Sequence, residues 1–451
     1  MLWEEIRKAL TKNADKTLGE KDKLFSFGEV LKIAEERAKK LKKASCCAIF
    51  CKEETEAALW LLACFAAKKT AVPLSERYGK KHCDGIINEI RPDLLLSDGG
   101  KTEHLFPRTV RPENTALIMC TSGTTGSPKG VMLSEENILT NVFDILEYFG
   151  VSLADTILIS RPLYHCAVLT GEFLVSLFAG ADIRFYSEVF DPLRLPSVIK
   201  KSGATVFCGT PTLLSLLAAT GKNIPLKKIA ISGECMDKKT GEFIRKAFPT
   251  AEIHHVYGLT EASPRVAALP PSLFEKYPDF VGFPLKHTEI RLRLNEKGEN
   301  ILWVRGKNVT SGYYKNPTAT SAKIKNGWLC TGDIAKINAE GLLKIFGRSD
   351  DMIIKGGMNI YPTEIENAVK TDPRIKEAAA YGYKDSGTVK IGLSVAGNLS
   401  SAEVYSVCRE NLPPYMLPNE IFIKDRLERN GSGKILRKRP NRVAEKPVCR
   451  L

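Results

Sequence analysis

Between about residue 46 and residue 256, short apolar runs alternate with longer helix-patterned stretches, and that rhythm restricts the chain to layers of sheet and helix. The runs are Cys47–Cys51, Thr70–Leu74, Asp93–Leu96, Ala116–Cys120, Thr156–Ser160, Asp182–Tyr186, Ala204–Cys208, Lys228–Ser232 and Glu252–Val256. Runs apolar along their whole length suit strands buried on both faces, so parallel-type sheets flanked by helices are expected. Residues 1–45 read as two amphipathic helices, the second with Leu31, Ala34, Ala38 and Leu41 on one face. From Val281 the pattern becomes a half-exposed alternation, as in Glu289–Leu294 and Asn300–Val304, which suits antiparallel strands. Beyond Gly347 lies a last piece of roughly a hundred residues, a size able to fold alone. A helix opening at Pro362, strands over Ala378–Tyr383 and Lys390–Ala396, a helix over Ala402–Glu410 and a strand over Glu420–Lys424 are expected there.

A chain of 451 residues exceeds one small core, and 43% hydrophobic with 26% charged residues is a soluble globular balance. The longest apolar run, Ala57 to Ala67, is about half a membrane span. Met1-Leu2-Trp3-Glu4-Glu5 lacks the basic start of a signal peptide, so a cytoplasmic protein with no membrane partner is expected. The net charge of +14 is spread over helix-like segments. Only Arg437-Lys438-Arg439-Pro440-Asn441-Arg442 is densely basic, and no nucleic-acid motif accompanies it. Nucleic acid is therefore not an expected partner; the charge suits an acidic carrier protein or a phosphorylated cosubstrate. Twelve cysteines at irregular positions, several inside apolar runs, indicate reduced buried thiols, and Cys47 and Cys51 have no matching pair for a metal site.

Five stretches carry candidate chemistry. Thr121-Ser122-Gly123-Thr124-Thr125-Gly126-Ser127-Pro128-Lys129-Gly130 follows an apolar run and precedes a helix-like segment near Ser134. Its glycines let amides approach an anion, its hydroxyls donate and Lys129 adds charge, all of which suits a polyphosphate; the spacing is not that of a Walker loop. Tyr257-Gly258-Leu259-Thr260-Glu261 sets an aromatic ring, a hydroxyl and a carboxylate at a strand end. Asp333, in Thr331-Gly332-Asp333, offers a carboxylate able to accept from two ribose hydroxyls, or simply to cap its own turn. Gly347-Arg348-Ser349-Asp350 leads into Gly356-Gly357, and Asn430-Gly431-Ser432-Gly433-Lys434 places one lysine on a glycine-rich loop.

In order and spacing these stretches resemble the adenylate-forming superfamily: acyl- and aryl-CoA synthetases, peptide-synthetase adenylation domains and luciferase. The resemblance spans about residues 116–440 and is nearest to a short acyl/aryl-CoA ligase. It implies an α/β protein: an N-terminal domain, 1–348, of two helix-flanked sheets plus a small β-barrel at about 281–347. A small mobile α+β domain, 349–451, would hinge at Asp350. It further implies ATP, Mg2+ and coenzyme A as cofactors. In this resemblance Thr121, Ser122, Gly123, Thr124, Thr125, Gly126 and Lys129 bind phosphates, and Gly233, Glu234 and Cys235 pass beside the adenine that Tyr257 and Gly258 flank. Thr260 contacts the α-phosphate, Glu261 binds Mg2+, Asp333 and Arg348 touch the ribose, and Gly356 and Gly357 line the pantetheine path. Lys434 is the catalytic lysine and His165 the gate beside an acyl pocket lined by Ala167–Phe178 and Gly209–Thr212.

The expected reaction is acid activation through an acyl-adenylate, then thioester formation with coenzyme A. Peptide-synthetase relatives hold an α-ammonium with an aspartate soon after the gate; Cys166–Thr170 has no acid and Glu172 is the one nearby, which favours an aryl or aliphatic acid. The segment before the first loop reads as trimmed, and no long insertion of the acyl-AMP ligase kind has room. Open alternatives are an adenylating enzyme that loads an acyl carrier protein, a luciferase-like oxidase, and a non-enzymatic nucleotide-binding module. A monomer or homodimer is expected.

Overall fold

The apolar runs assemble into two sheets within the larger of two compact units, Met1–Arg291 with Trp303–Thr331 and Ile337–Lys344. This computed structural model describes residues 1–76, 80–107, 114–122, 128–188, 191, 193–221, 223–296, 298–355, 358–385, 388–429, 435–440 and 449–450. In the nine-stranded sheet, Glu252–Gly258, Lys228–Ile231, Val206–Gly209, Thr156–Ile159, Asp182–Phe185 and Thr17–Glu20 run parallel as successive neighbours. Antiparallel strands finish it: Arg265–Leu269 and Phe283–Pro284 at one edge, Lys23–Ser26 at the other. The seven-stranded sheet has a parallel centre of Leu94–Ser97, Cys46–Ile49, Thr70–Pro73 and Leu117–Ser122, again with antiparallel margins. All four residues of Cys46–Ile49, Thr70–Pro73 and Val206–Gly209 are buried, as expected of strands covered on both faces.

Three local expectations change. Residues 1–45 form the helices Leu2–Lys12 and Phe27–Lys40, but a hairpin, Thr17–Glu20 against Lys23–Ser26, separates them. It is held from far along the chain: Thr17 donates from its amide and hydroxyl to Asp182 Oδ1 at 2.9 and 2.5 Å. Thr121–Gly130 does not turn directly from strand into helix. Leu117–Ser122 pairs antiparallel with Pro128–Leu133, placing Thr121 opposite Lys129, so Pro128, Lys129 and Gly130 are strand residues. The helix then starts at Glu135, capped reciprocally by Ser134 and Asn137. Lastly, Ala167–Phe178 is not one regular α-helix: Cys166–Val168 and Val175–Ala179 flank a wider π-helical stretch, Leu169–Leu174.

The apolar run near Ala57 becomes the helix Glu54–Ala66, buried from Glu54 to Phe65. Among the described residues no helix is long and apolar enough to cross a membrane. Eleven cysteines are described as free thiols, nine of them buried, with Cys235 exposed.

His254 and His255, side by side on Glu252–Gly258, are 4% and 2% exposed, and burial lowers both from 6.5 to about 4. The unfolded chain therefore takes up these protons first as pH falls. Stability from the pair is complete above pH 6.5 and is lost as pH drops towards 4, by about 2 kcal/mol per histidine at pH 5. Urea midpoints at pH 7 and pH 5 should show that loss, and His255→Gln should reduce it.

The smaller unit comprises Leu292–Leu302, Gly332–Lys336 and Ile345–Leu451. Helices Pro362–Val369 and Ser401–Asn411 pack on a sheet ordered Ile375–Asp385, Thr388–Gly397, Glu420–Lys424 and Cys449–Arg450. Near its end the chain leaves at Arg429 and returns at Ile435, where the two residues form an antiparallel bridge and the Leu436 amide donates to Glu428 O at 2.8 Å. Arg437 then clamps buried Glu366 with Nε and Nη2 at 2.6 and 2.7 Å and reaches Asp351 at 3.2 Å.

Candidate active site

Within the larger unit, the strand pair Leu117–Ser122 and Pro128–Leu133 brings Lys129 to Tyr313. The lysine Nζ lies 6.0 Å from the ring centroid, and the Tyr313 hydroxyl donates to Glu261 Oε1 at 2.8 Å. Tyr313 reaches this place because Gly312–Tyr313 adds to the edge of Pro128–Leu133, with Tyr313 opposite Val131. The Tyr314 amide donates to Gly130 O at 2.7 Å. Gly130 must lack a side chain: a Cβ there would lie 2.7 Å from the Ile118 side chain and 2.8 Å from that of Ile90.

Gly258 is equally constrained, since a Cβ would meet Pro264 O at 1.9 Å where the register shifts between Tyr257 and Gly258. The following turn, Thr260–Ala262, is fastened at several points. Asn308 Nδ2 donates to Ala262 O and Arg265 O, both at 3.1 Å, and Ser263 Oγ donates to Asn308 O at 2.8 Å. Thr170 Oγ1 donates to Ser263 O at 2.9 Å, and the Thr310 amide to Glu261 O at 2.8 Å. Glu261 is thus held through both its backbone and its carboxylate, which fixes the direction of its charge. Tyr257, Gly258, Thr260 and Glu261 are all half-buried.

Gly233 adopts φ +94°, a left-handed conformation that favours glycine. Glu234 accepts from the Thr212 hydroxyl and amide at 2.6 and 3.2 Å, tying this turn to the first turn of the helix Pro211–Ala219. Buried Ser232 Oγ has no hydrogen-bond partner among the described residues. His165 is half-buried at the start of Cys166–Val168, with its ring edge-on to Tyr164 at 5.7 Å; the Tyr164 hydroxyl donates to Cys120 O at 3.1 Å. Glu172 is 1% exposed and accepts from Arg161 Nη2 at 2.6 Å.

In the smaller unit, Arg348 Nη1 lies 3.4 Å from Asp333 Oδ1, with Asp333 8% exposed. Gly123, Thr124, Thr125, Gly126, Gly356, Gly357 and Lys434 lie outside the described residues, as does the Ser122 side chain. The structure brings Lys129 and Glu261 to one tyrosine and ties Glu234 to the helix Pro211–Ala219. Sequence reading missed Tyr313, Asn308, Thr170 and Asn141, which donates to Arg265 O at 2.8 Å and accepts from the Arg265 amide at 3.0 Å. Their signal was faint: Gly312-Tyr313-Tyr314 reads as an ordinary turn, and the others are isolated polar residues that act across more than ninety positions (Asn141, Thr170) or about forty-five (Asn308).

Residues 97–314 match the model of the AMP-binding enzyme, and residues 364–434 match the AMP-binding enzyme C-terminal domain. The 2-succinylbenzoate–CoA ligase of Bacillus velezensis is 31% identical over 438 residues, which is 89% of this chain and 88% of that protein. The chain belongs to the AMP-binding enzyme family. Another relative, the long-chain-fatty-acid–CoA ligase of Haemophilus influenzae, is 33% identical over 379 residues, covering 78% of this chain and 66% of its own length. The AMP-binding fold itself is matched by O-succinylbenzoate coenzyme A synthetase from Bacillus subtilis in complex with AMP: TM-score 0.83, 25% identity, 95% of this chain and 97% of that one. The same synthetase in complex with ATP and magnesium ion matches with equal TM-score and identity. The AMP-binding enzyme model spans the Thr121–Gly130 stretch, Tyr257–Glu261 and Tyr313 alike.

Proposed function

We propose that the chain is an AMP-forming acid–thiol ligase that activates a carboxylic acid with ATP and transfers the acyl group to coenzyme A. The observation that carries this reading is the convergence of Lys129 and Glu261 on Tyr313, a cation and a hard carboxylate held together at the end of a glycine-rich strand pair. Kinship with coenzyme A ligases supports it. In the first half-reaction a carboxylate oxygen attacks the α-phosphorus of ATP, an acyl–phosphate bond forms and pyrophosphate leaves. In the second, the thiol sulfur attacks the acyl carbon, the thioester forms and AMP departs.

Among the described residues no three His, Cys, Asp or Glu cluster as a metal site. Glu261 alone fits Mg2+, which is commonly held by one or two carboxylates together with substrate phosphates. Bound there, the ion supplies charge neutralisation of the polyphosphate. Lys129 and Thr121 add a cation and a hydroxyl to the phosphates, and Tyr257 flanks the base. Ser232 Oγ, buried without a partner among the described residues, fits a nucleoside that brings its own polar atoms. Asp333 and Arg348 are assigned to the ribose, Gly356 and Gly357 to the thiol path, and Lys434 to the ammonium that bridges acid and phosphate. A small C-terminal domain from residue 349, pivoting at Asp350, would present Lys434 only for the first step. The Glu172–Arg161 pair occupies the acid that follows closest on His165 in the sequence, which favours an aryl or aliphatic acid over an amino acid. The reduced thiols suit the cytoplasm, with the enzyme as monomer or homodimer.

ATP–pyrophosphate exchange over benzoates, short- and medium-chain acids and amino acids, followed by trapping with coenzyme A, tests the reading. Thioester on coenzyme A is the expected product; exchange stimulated by no acid, or thioester only on a carrier protein, would reject it. Tyr313→Phe removes the hydroxyl that orients Glu261. The Mg2+ concentration for half-maximal exchange should rise about tenfold, the usual scale for such supporting groups, while acid preference stays as it was.

A further inference from the structure

Asp350 stands exposed between two fastened stretches of the smaller unit. Ahead of it, Ser349 Oγ donates to Glu299 Oε2 at 2.7 Å. Asn295 Nδ2 donates to both, at 3.2 Å to Ser349 Oγ and at 2.7 Å to Glu299 Oε2. Asn295 and Glu299 also close their own turn, between the strands Thr288–Leu294 and Asn300–Gly306. There the Asn295 amide donates to Glu299 O and the Glu299 amide to Asn295 Oδ1, both at 2.9 Å. Glu299 is 4% exposed and its Oε1 has no partner among the described residues, so Oε2 carries the bonds that place this carboxylate. Hydrogen bonds to a carboxylate are among the stronger ones.

Behind Asp350 the chain is fastened to other groups. Asp351 lies 3.2 Å from Arg437, and Met352 and Ile353 are buried, Ile353 in one core with Ile360, Ile365 and Ile391. Asp350 meets Arg348 at 3.7 Å from a side chain that is 63% exposed. With Ser349 tied on one side and Asp351 on the other, one residue is left between them to absorb a change of backbone angles.

Resting on the ligase reading and its pivot at Asp350, we propose that Asn295, Glu299 and Ser349 form a clamp that confines the pivoting to that single residue. They are positioning residues, and the clamp decides where the chain turns. Without it, Arg348 and Ser349 turn as well, and the change spreads over more backbone angles.

Proline tests this, because it fixes φ at about −65°, which suits the short 3₁₀ turn Ser349–Asp351 that holds Asp350. Asp350→Pro thus arrests the residue as it stands here. With the fastest acid of the exchange panel above, adenylation and thioester formation from supplied acyl-adenylate are measured separately. Asp350→Pro should slow one of the two by about tenfold or more. Adding Ser349→Ala should then raise that rate by about threefold or more, the scale of one hydrogen bond. Removing a bond restores a rate only if the bond restrained the turn; a merely structural role would deepen the loss. Asp350→Pro without effect on either step overturns the proposal, as does a double variant no faster than Asp350→Pro. Should Asp350→Pro fail to fold, trypsin cleavage after Arg348 decides. Ser349→Ala should be cut there about threefold faster than the unaltered protein, and equal rates overturn the clamp. All these outcomes leave the ligase reading intact; exchange with no acid in the unaltered enzyme removes that reading, and this one with it.

Discussion

Lys434→Ala is expected to slow acyl-adenylate formation by roughly 10²–10³-fold, the scale seen when a single transition-state donor is removed. The physical reason lies in the first half-reaction alone. A carboxylate must approach a polyphosphate of like charge, and an ammonium shared between acid and phosphate offsets that repulsion while charge moves onto the leaving pyrophosphate. Once the adenylate exists, the acyl carbon is already electrophilic and the thiol needs no such bridge. Thioester formation from supplied acyl-adenylate should therefore proceed at near the unaltered rate. Measuring the two half-reactions separately decides the matter: an equal loss in both, in a folded protein, would mean that Lys434 does not act as assigned.

Glu366→Ala should cost the smaller unit about 3–5 kcal/mol, the range for breaking a buried ion pair by deleting one partner. Glu366 is 5% exposed, accepts both prongs of Arg437 and also takes the Ala380 amide at 3.0 Å. Its loss leaves a half-buried guanidinium without its bidentate partner and an amide unsatisfied, two penalties that arise together. Denaturant unfolding followed by a probe in this unit should show the shift. Because Arg437 stands three residues after Lys434, adenylation should weaken too, whereas a helix-surface change such as Glu410→Ala should alter neither.

What could be read from the chain alone follows from the range over which the forces act. The buried strands were visible because a run such as Leu-Ile-Met-Cys is apolar whatever it pairs with, and the family motifs were visible because their residues are adjacent. The Thr17–Ser26 hairpin was not, because Gly-Glu-Lys-Asp-Lys reads as a polar connector and its partner strand begins 165 residues later, at Asp182. Tyr313 was hidden for the same reason: nothing near it in sequence announces a carboxylate fifty-two positions away. The Arg161–Glu172 pair was equally silent. Charge balance is a property of a buried volume and not of a segment, so it appears only when Cys166–Leu174 folds over the sheet.

The bridge between Arg429 and Ile435 has a consequence for how this protein can change. Just after Ile435 the chain is tied to Glu366 by Arg437, and Arg429 is held by an ion pair to Glu377. The two stems therefore hold their places in the packed unit whatever the number of residues that joins them. Loop closure grows so slowly with length that doubling it costs only about 0.6 kcal/mol. The length of the stretch 430–434 is thus adjustable by insertion and deletion almost independently of folding.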